Sequence, residues 1–212
     1  MNYETVGNCQ VQGLNELYLK YFKYRTFGTF VEIGAYDGIS FSNTYGLARA
    51  GWKGLYAEPV KEFYEICKEN LKEFNVEVKQ TALGNRVGSI RMHIAGTVST
   101  YEQFHIDAPV WKSHYNPNAV QDVPLTTLDL FLEENKINPW FDLLVIDTEG
   151  SEMKVLEGFT LDRWYPKMVI VEAEEHSPFK ELTVLAPQIN EFFGEYEKVY
   201  SDEINNIYIR NS

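Results

Sequence analysis

A chain of 212 residues with 44% hydrophobic and 24% charged side chains has the composition of one ordinary globular domain, which excludes a disordered or fibrous protein. Its formal net charge of −12 disfavours nucleic acid as a partner, because surfaces that bind nucleic acid are built from clustered Lys and Arg. Two cysteines, Cys9 and Cys67, are too few for a disulfide framework, and no apolar run is long enough to span a bilayer. We therefore expect free thiols, one domain over residues 1–212 and a cytoplasmic location.

Short apolar runs alternate with longer amphipathic stretches along the chain, which is typical of a doubly wound α/β sheet. After an N-terminal helical segment within residues 1–28, strands are predicted at Thr29–Ile33, Gly54–Ala57, Val76–Thr81, Leu143–Ile146 and Met168–Glu172. Helices are predicted between and after them at Ser42–Ala50, Lys61–Phe74, Leu128–Asn135, Glu152–Glu157 and Leu182–Phe193. The nearly continuous apolar strands indicate a mostly parallel sheet with helices on both faces.

Two more strand-like runs, Tyr196–Tyr200 and Asn206–Ile209, follow the last helix and are separated by Ser201-Asp202-Glu203. So short a connection predicts a C-terminal antiparallel hairpin. An additional strand at Ser89–Ile94 is expected to extend the third strand.

The stretch Ala95–Pro124 breaks the alternation and is rich in aromatic, histidine, glycine and proline residues. Long irregular insertions in compact domains usually carry function or are disordered, and the aromatic content favours function. We expect this segment to act as a lid that faces the substrate.

The first strand runs into Gly34-Ala35-Tyr36-Asp37-Gly38, and a strand followed by a glycine-rich turn and a helix is a general device for binding a nucleotide-like ligand. The spacing from Glu32 is Glu-x-Gly-x-x-x-Gly, whereas a dinucleotide site shows Gly-x-Gly-x-x-Gly. The loop offers carboxylates at Glu32 and Asp37 rather than the bare amides that a pyrophosphate needs. This pattern favours S-adenosylmethionine, whose ammonium group suits a carboxylate, over a nicotinamide cofactor.

Acidic residues also follow later strands. Glu58 ends the second strand about twenty residues after the glycine loop, where an acid can accept both ribose hydroxyls of an adenosine cofactor. Asp147 and Glu149 follow the fourth strand at the sheet edge where ligands of open α/β sheets bind, so both should face the cleft. Glu152 either joins them or stabilises the N-terminus of the next helix.

The fifth strand ends in Glu172-Ala173-Glu174-Glu175-His176. Asp147 with Glu172 and Glu174 could form an oxygen-rich Mg²⁺ site, or these acids could cradle a sulfonium and hold a base. The candidate catalytic bases are His176, Asp147 and Glu174, with His105 as a further candidate, whereas His93 inside a predicted strand is expected to be structural.

Taken together, these segments resemble the FkbM family of S-adenosylmethionine-dependent methyltransferases from about Leu14 to Glu172. The segments that carry the resemblance are Phe30–Gly38, Ser42–Thr44, Gly51–Pro59, Ala82–Gly84, Val98–Thr100, Leu125–Leu130 and Asp147–Glu152. The resemblance implies a Rossmann-like, seven-stranded class I methyltransferase sheet. It also implies that Glu32, Gly34, Asp37, Glu58 and Asp147 surround the cofactor. We expect further cofactor contacts from the neighbouring residues Ala35, Gly38, Ser42, Asn43, Pro59, Ala82, Leu83 and Glu149.

Members of this family are mostly taken to be O-methyltransferases, often acting on sugars or natural-product hydroxyls, so the resemblance implies a small-molecule or glycan acceptor. An N-methyltransferase of the same fold, a nicotinamide dehydrogenase and a non-catalytic binding module are the alternatives. One departure is visible: Val145 and Thr148 stand where the family commonly shows Lys and Val, which removes a charge expected near the cleft.

Overall fold

The computed structural model describes residues 9–180 and 182–211, and its centre is a seven-stranded sheet accompanied by a small second sheet. The strands are β1 (Thr29–Ile33), β2 (Lys53–Ala57), β3 (Val76–Lys79), β4 (Ala82–Gly84), β5 (Gly88–His93), β6 (Val120–Thr127), β7 (Leu143–Ile146), β8 (Met168–Glu172), β9 (Tyr196–Ser201) and β10 (Asn205–Arg210). The α-helices are α1 (Leu14–Phe22), α2 (Tyr45–Arg49), α3 (Lys61–Leu71), α4 (Gln103–Asp107), α5 (Leu128–Glu134), α6 (Glu152–Glu157), α7 (Leu161–Trp164) and α8 (Ala186–Phe192). Single 3₁₀ turns lie at Lys112–His114 and Thr183–Leu185.

The predicted doubly wound sheet is confirmed. Its strand order is β3-β2-β1-β7-β8-β10-β9. The first five strands in this order run parallel, and β10 pairs antiparallel with both β8 and β9. The predicted C-terminal hairpin is therefore also confirmed, with β10 inserted between β8 and β9. The N-terminal helical segment is observed as α1, and its residues 1–8 lie outside the described residues.

Alternate residues of the central strands enter two different cores, as the two-residue repeat of a strand requires. On one face Val31 and Leu144 pack in a core with residues of α5, α6 and α8. On the other face Phe30 and Val145 share a core with residues of α1, α2 and α3. Cys67 of α3 is a buried free thiol in this second core, as the sequence predicts. Helices on both faces leave the strand ends as the place where the sheet meets a ligand.

The second sheet has the order β4-β6-β5 and corrects two predictions. Residues 88–93 do not extend β3, because β5 pairs antiparallel with β6 and buries Met92 in a separate small core with Val60 and Val123. The third central strand accordingly ends at Lys79 rather than Thr81, and the chain crosses to pair β4 with β6. The irregular insertion is also shorter than predicted, since residues 120–124 belong to β6.

No helix within the described parts of the chain has both the length and the apolar character that a membrane crossing requires.

Replacing Leu144 by Ala is expected to lower the free energy of unfolding by about 2–5 kcal/mol, because Leu144 lies on a central strand with 0% exposure and the cavity left behind cannot collapse easily. The matched control is Leu130→Ala on α5, where the side chain is 36% exposed and the loss should stay below about 1 kcal/mol. Urea titration of both variants measures the difference, and equal losses would contradict the assignment of Leu144 to the core.

Candidate active site

A cavity of about 310 Å³ opens at the C-terminal edge of the central sheet. Its floor is formed by the loops that follow β1, β2, β7 and β8, and Ile204 of the hairpin turn also reaches it. The segment between β5 and β6 contributes Gly96, Thr97, Val98, Ser99, Tyr101 and Trp111 to the lining. The predicted insertion therefore borders the cavity.

The hydrogen-bond register decides which residues reach this edge together. Ile33 pairs with Ala57 of β2 and with Ile146 of β7, and Ile146 pairs with Val171 of β8. The residues that follow these positions form one row across the edge: Gly34, Glu58, Asp147 and Glu172. Three acids predicted from separate stretches of sequence thus lie in one row with Gly34.

Gly34 allows two strand ends to touch. Its φ of +88° is a conformation that side-chain-bearing residues rarely adopt, and a Cβ atom here would overlap the backbone carbonyl oxygen of Asp147. The amides of Gly34 and Ala35 both donate to the carbonyl oxygen of Ala57, at 3.0 and 3.2 Å. The glycine is therefore required by the close approach of the backbones as well as by the turn.

Glu32 is buried at the start of the turn, with 4% exposure. Its carboxylate accepts hydrogen bonds from the hydroxyl of Ser42, at 3.2 Å, and from the hydroxyl of Thr44. Burial raises the pKa of Glu32 to about 7, although the Thr44 hydrogen bond acts in the opposite direction. A cation beside this carboxylate would favour its charged form.

Glu58 is held by the backbone on both sides. One carboxylate oxygen accepts the amide of Tyr36 at 2.8 Å, and the other accepts the amide of Val60 at 2.8 Å. Burial raises the pKa of Glu58 to about 7. Each oxygen retains a lone pair, so a fixed carboxylate faces the cavity and can accept hydroxyl hydrogens from a ligand.

The loop after β7 is organised by Glu152, whose carboxylate accepts the amide and the hydroxyl of Thr148, at 2.8 and 2.9 Å. Burial raises the pKa of Glu152 to about 7. Glu149 and Gly150 follow in left-handed conformations, with φ of +55° and +96°. Glu152 therefore fastens the loop before its own helix, whereas Glu149 lines the cavity.

Four carboxylates meet at the ends of β7 and β8. One oxygen atom from each of Asp147, Glu149 and Glu172 lies within 4.8 Å of the others, and Glu174 also lines the cavity. Burial, followed by repulsion from neighbouring carboxyl groups that include Glu152, raises the pKa of Glu149 and Glu172, and that of Glu174 to about 8. Burial also raises the pKa of Asp147. The described surroundings therefore do not supply enough positive charge to keep all four carboxyl groups ionised.

His105 lies beneath this cluster rather than in the cavity lining. It is 1% exposed, with its Nε2 atom 3.2 Å from a carboxylate oxygen of Glu149 and its Nδ1 atom 3.0 Å from the hydroxyl of Tyr115. The ring of Trp111 stacks on the imidazole at a centroid distance of 6.0 Å and an angle of 15°. Burial lowers the pKa of His105 to about 4. The histidine is thus a neutral support for Glu149.

Residues 32–201 match the family model described as the methyltransferase FkbM domain. The chain belongs to the FkbM methyltransferase family. It is therefore an S-adenosylmethionine-dependent methyltransferase.

Solved structures show the same fold. A putative caffeoyl-CoA O-methyltransferase from Staphylococcus aureus aligns with a TM-score of 0.53 at 12% identity, covering 97% of this chain and 86% of the other. A putative O-methyltransferase from Klebsiella pneumoniae aligns with a TM-score of 0.51 at 14% identity, covering 99% of this chain and 84% of the other. No curated protein shows significant sequence similarity. At these identities the likeness establishes the fold, a Rossmann-like methyltransferase sheet.

The cavity of this FkbM protein fits S-adenosylmethionine in charge. Six of the described lining residues are acidic: Glu32, Glu58, Asp147, Glu149, Glu172 and Glu174. The described lining contains no Lys, Arg or His. A pyrophosphate would find no cation there, whereas a ligand that carries a sulfonium and an ammonium group finds carboxylates. The lining therefore agrees with the cofactor of the family and disagrees with a dinucleotide.

The structure brings most of the predicted cofactor residues together. Those that line the cavity are Glu32, Gly34, Ala35, Ser42, Glu58, Pro59, Ala82, Leu83, Asp147 and Glu149. Asp37 and Gly38 lie outside the described lining: Asp37 accepts the amides of Ile39 and Ser40, at 2.8 and 2.7 Å, and Gly38 packs against Cys67 of α3. Asn43 is buried outside the lining as well, with its backbone oxygen accepting the hydroxyl of Tyr18 at 2.7 Å.

The predicted catalytic and metal residues separate into two groups. Asp147, Glu172 and Glu174 lie together in the cavity lining. His176 lies on the turn beyond β8 with an exposed side chain and is absent from the described lining, because the chain turns away after Glu174. His93 exchanges backbone hydrogen bonds with Thr100, which agrees with a structural role.

Val145 corrects the expectation of a lost charge near the cleft. Its side chain is 1% exposed and belongs to the core shared with α1, α2 and α3. Val145 lies within β7, short of the sheet edge, and is absent from the described cavity lining. The difference from the family at this position changes the core rather than the site.

Sequence reasoning missed four residues that line the cavity, namely Gln10, Tyr36, Phe63 and Ile204, whereas Thr97, Tyr101 and Trp111 lie within the predicted lid. Gln10, Tyr36 and Ile204 lie in loops whose path depends on tertiary packing, and Phe63 lies in the first turn of α3. Only the aromatic content of the insertion drew attention to Tyr101 and Trp111. The pairing of His105 with Glu149 had no signal in the sequence, because the two residues lie 44 positions apart in irregular segments.

The ligand-free protein should lose stability as the pH rises from 6.5 to 8.5. The folded-state pKa values of Glu32 and Glu58, about 7, lie above the ordinary value of 4.5, so the stability contributed by their bound protons is present at low pH and lost through pH 7. His105 acts in the opposite direction, but only below about pH 6.5. The loss should be about 1 kcal/mol for each carboxyl group. Urea titrations across this range measure it.

The control for this prediction is Glu58→Gln, which removes one titrating group. The variant should show a shallower decline of unfolding free energy with pH, whatever its absolute stability. An unchanged slope would show that Glu58 does not retain a proton near neutral pH in the folded state.

Proposed function

We propose that this FkbM methyltransferase transfers a methyl group from S-adenosylmethionine to a hydroxyl of a sugar or another small hydroxylated acceptor. The observation that carries the proposal is the acidic lining of the cavity at the sheet edge, which offers both a site for a cationic cofactor and carboxylates able to take a hydroxyl proton. The family resemblance favours hydroxyl acceptors.

The residues around Gly34 are the ones expected to hold the cofactor. Glu58 is fixed by two backbone amides and is suited to accept the ribose hydroxyls, while the carboxylate of Glu32 suits an ammonium group. When bound, S-adenosylmethionine supplies an electrophilic methyl group whose bond to sulfur breaks as the bond to the acceptor oxygen forms, the electron pair remaining on sulfur. The contribution of the protein is alignment and removal of a proton.

Glu174 is the favoured proton acceptor. It follows β8 in a left-handed conformation with φ of +46°, and its amide donates to the carbonyl oxygen of Ile204 at 2.8 Å. Its carboxylate lines the cavity beside Asp147 and Glu172. In the proposed step the acceptor O–H bond breaks and the proton passes to Glu174, while the oxygen pair forms the new bond to carbon. Asp147 is the second candidate for this role.

An amine acceptor is the second candidate function, because an all-acidic lining would also attract an ammonium group. Assays with radiolabelled cofactor and a panel of free and nucleotide-linked sugars and of amines, followed by mass spectrometry of the product, distinguish the two. We expect the methyl group on oxygen. A methyl group found on nitrogen, with no reaction of hydroxyl acceptors, would replace the proposal by N-methylation.

Glu58→Ala is expected to weaken binding of S-adenosylhomocysteine by about 10–100-fold, the loss that follows from removing hydrogen bonds to a charged group. Calorimetric titration measures the affinity, and a thermal melt of the same sample shows whether the variant is folded. The matched control is Glu62→Ala, which removes an exposed acid from the first turn of α3 and should bind normally. Unaltered affinity in folded Glu58→Ala protein would remove Glu58 from the cofactor site.

A further inference from the structure

The ends of β7 and β8 contain an arrangement that the methyl transfer itself does not require. Asp147, Glu149 and Glu172 each place an oxygen atom within 4.8 Å of the other two. Oxygen ligands at about 2.0–2.6 Å from a divalent cation are separated by up to about 5 Å when they lie on opposite sides of it. The spacing of the three carboxylates is therefore compatible with one shared cation.

Glu172 supplies an independent indication that something is bound here. The side chain is 8% exposed and lines the cavity, yet its Oε2 atom is buried and accepts no hydrogen bond from the described residues. Buried carboxylate oxygens are normally satisfied, since leaving one unsatisfied costs about 1–3 kcal/mol or more. A ligand that supplies positive charge would satisfy this atom.

Glu149 is oriented by neighbouring polar groups, as metal-binding carboxylates in proteins usually are. One of its oxygens contacts Nε2 of His105 at 3.2 Å, while Tyr115 and Trp111 hold the imidazole from two other sides. Its backbone oxygen accepts the hydroxyl of Thr100 at 2.7 Å. Hydrogen-bonded partners that orient a metal-binding side chain commonly improve metal affinity by 10–100-fold. The group is therefore a supported site rather than a loose accumulation of acids.

The described part of the cavity lining also offers no positively charged side chain to balance these carboxylates. No Lys, Arg or His is present among the described lining residues, and the nearby ammonium of Lys154 is paired with Glu102 at 2.6 Å. Carboxylate ligands of this type select Mg²⁺, Mn²⁺ or Ca²⁺ over softer metals.

We propose that Asp147, Glu149 and Glu172 bind one divalent cation, and that His105 positions Glu149 as its ligand. Three protein ligands leave coordination positions free, and a hydroxyl bound at one of them loses its proton more readily. The cation would thus hold and acidify the acceptor hydroxyl beside Glu174. This chemical role rests on the proposed O-methylation, whereas the binding of the ion does not.

The test is a titration of the ligand-free protein with Mn²⁺, in which the electron paramagnetic resonance signal of free Mn²⁺ reports binding. We expect one ion per chain, displaced by Mg²⁺ or Ca²⁺. Glu172→Gln should weaken binding at least about tenfold, and His105→Gln by about 10–100-fold. The matched control, Glu134→Gln on the exposed face of α5, should bind Mn²⁺ like the parent.

Binding of S-adenosylhomocysteine is measured on the same samples. Retained affinity in Glu172→Gln and His105→Gln shows that these variants are folded and that their loss of Mn²⁺ is specific. Absence of Mn²⁺ binding to the parent protein would overturn the proposal, and so would equal affinity in folded Glu172→Gln protein. Failure of the parent to bind S-adenosylhomocysteine would instead argue against the proposed function and leave a positive Mn²⁺ result standing.

Discussion

The alignment of four parallel strand ends is the constraint on which the site depends. Register pairs Ile33 with Ala57 and Ile146, and the next residues along the strands therefore meet in one row. Strand side chains alternate between faces, so a slip of one residue in β2 would replace Glu58 by a neighbour on the opposite face. The tight contact between Gly34 and the Asp147 backbone brings the C-terminal ends of β1 and β7 together at the sheet edge. The positions of the carboxylates are thus consequences of backbone pairing rather than of loop flexibility.

The burial of several carboxyl groups at one edge of the sheet has an electrostatic cost. Carboxylates that are buried without cations prefer their neutral forms, as the raised pKa values of Glu32, Glu58 and Glu174 show. At Glu32 and Glu58, backbone and hydroxyl hydrogen bonds offset part of this cost. The carboxylates at the ends of β7 and β8 have fewer such bonds, and there the segment between β5 and β6 contributes His105 beneath Glu149. The two groups of carboxylates therefore accommodate charge by different means.

Much of the fold could be predicted because the central strands are strongly apolar and the helices between them are amphipathic. The helix Glu152–Glu157 and the strand Met168–Glu172 have the predicted bounds. The fate of residues 88–93 could not be predicted, because a strand pattern does not reveal its pairing partner, and that partner, β6, lies within the stretch expected to be irregular. Acids directly after strands were predictable as site residues from topology alone. The placement of His176 outside the described lining could not be predicted, because nearness in sequence to a strand end does not determine where a loop side chain points.

The contact between the hairpin turn and the β8 loop limits how the C-terminal end of the protein can vary. The carbonyl oxygen of Ile204 accepts the amides of both Ala173 and Glu174 at 2.8 Å, and Asp202 shapes the turn by accepting the amides of Ile204 and Asn205. Hairpin tips ordinarily tolerate insertions, because nothing else depends on them. Here an added residue would shift the loop that carries Glu174. The β9–β10 turn is therefore a poor place for a tag, a fused domain or a change of length, although it lies more than 25 positions beyond that glutamate in the sequence.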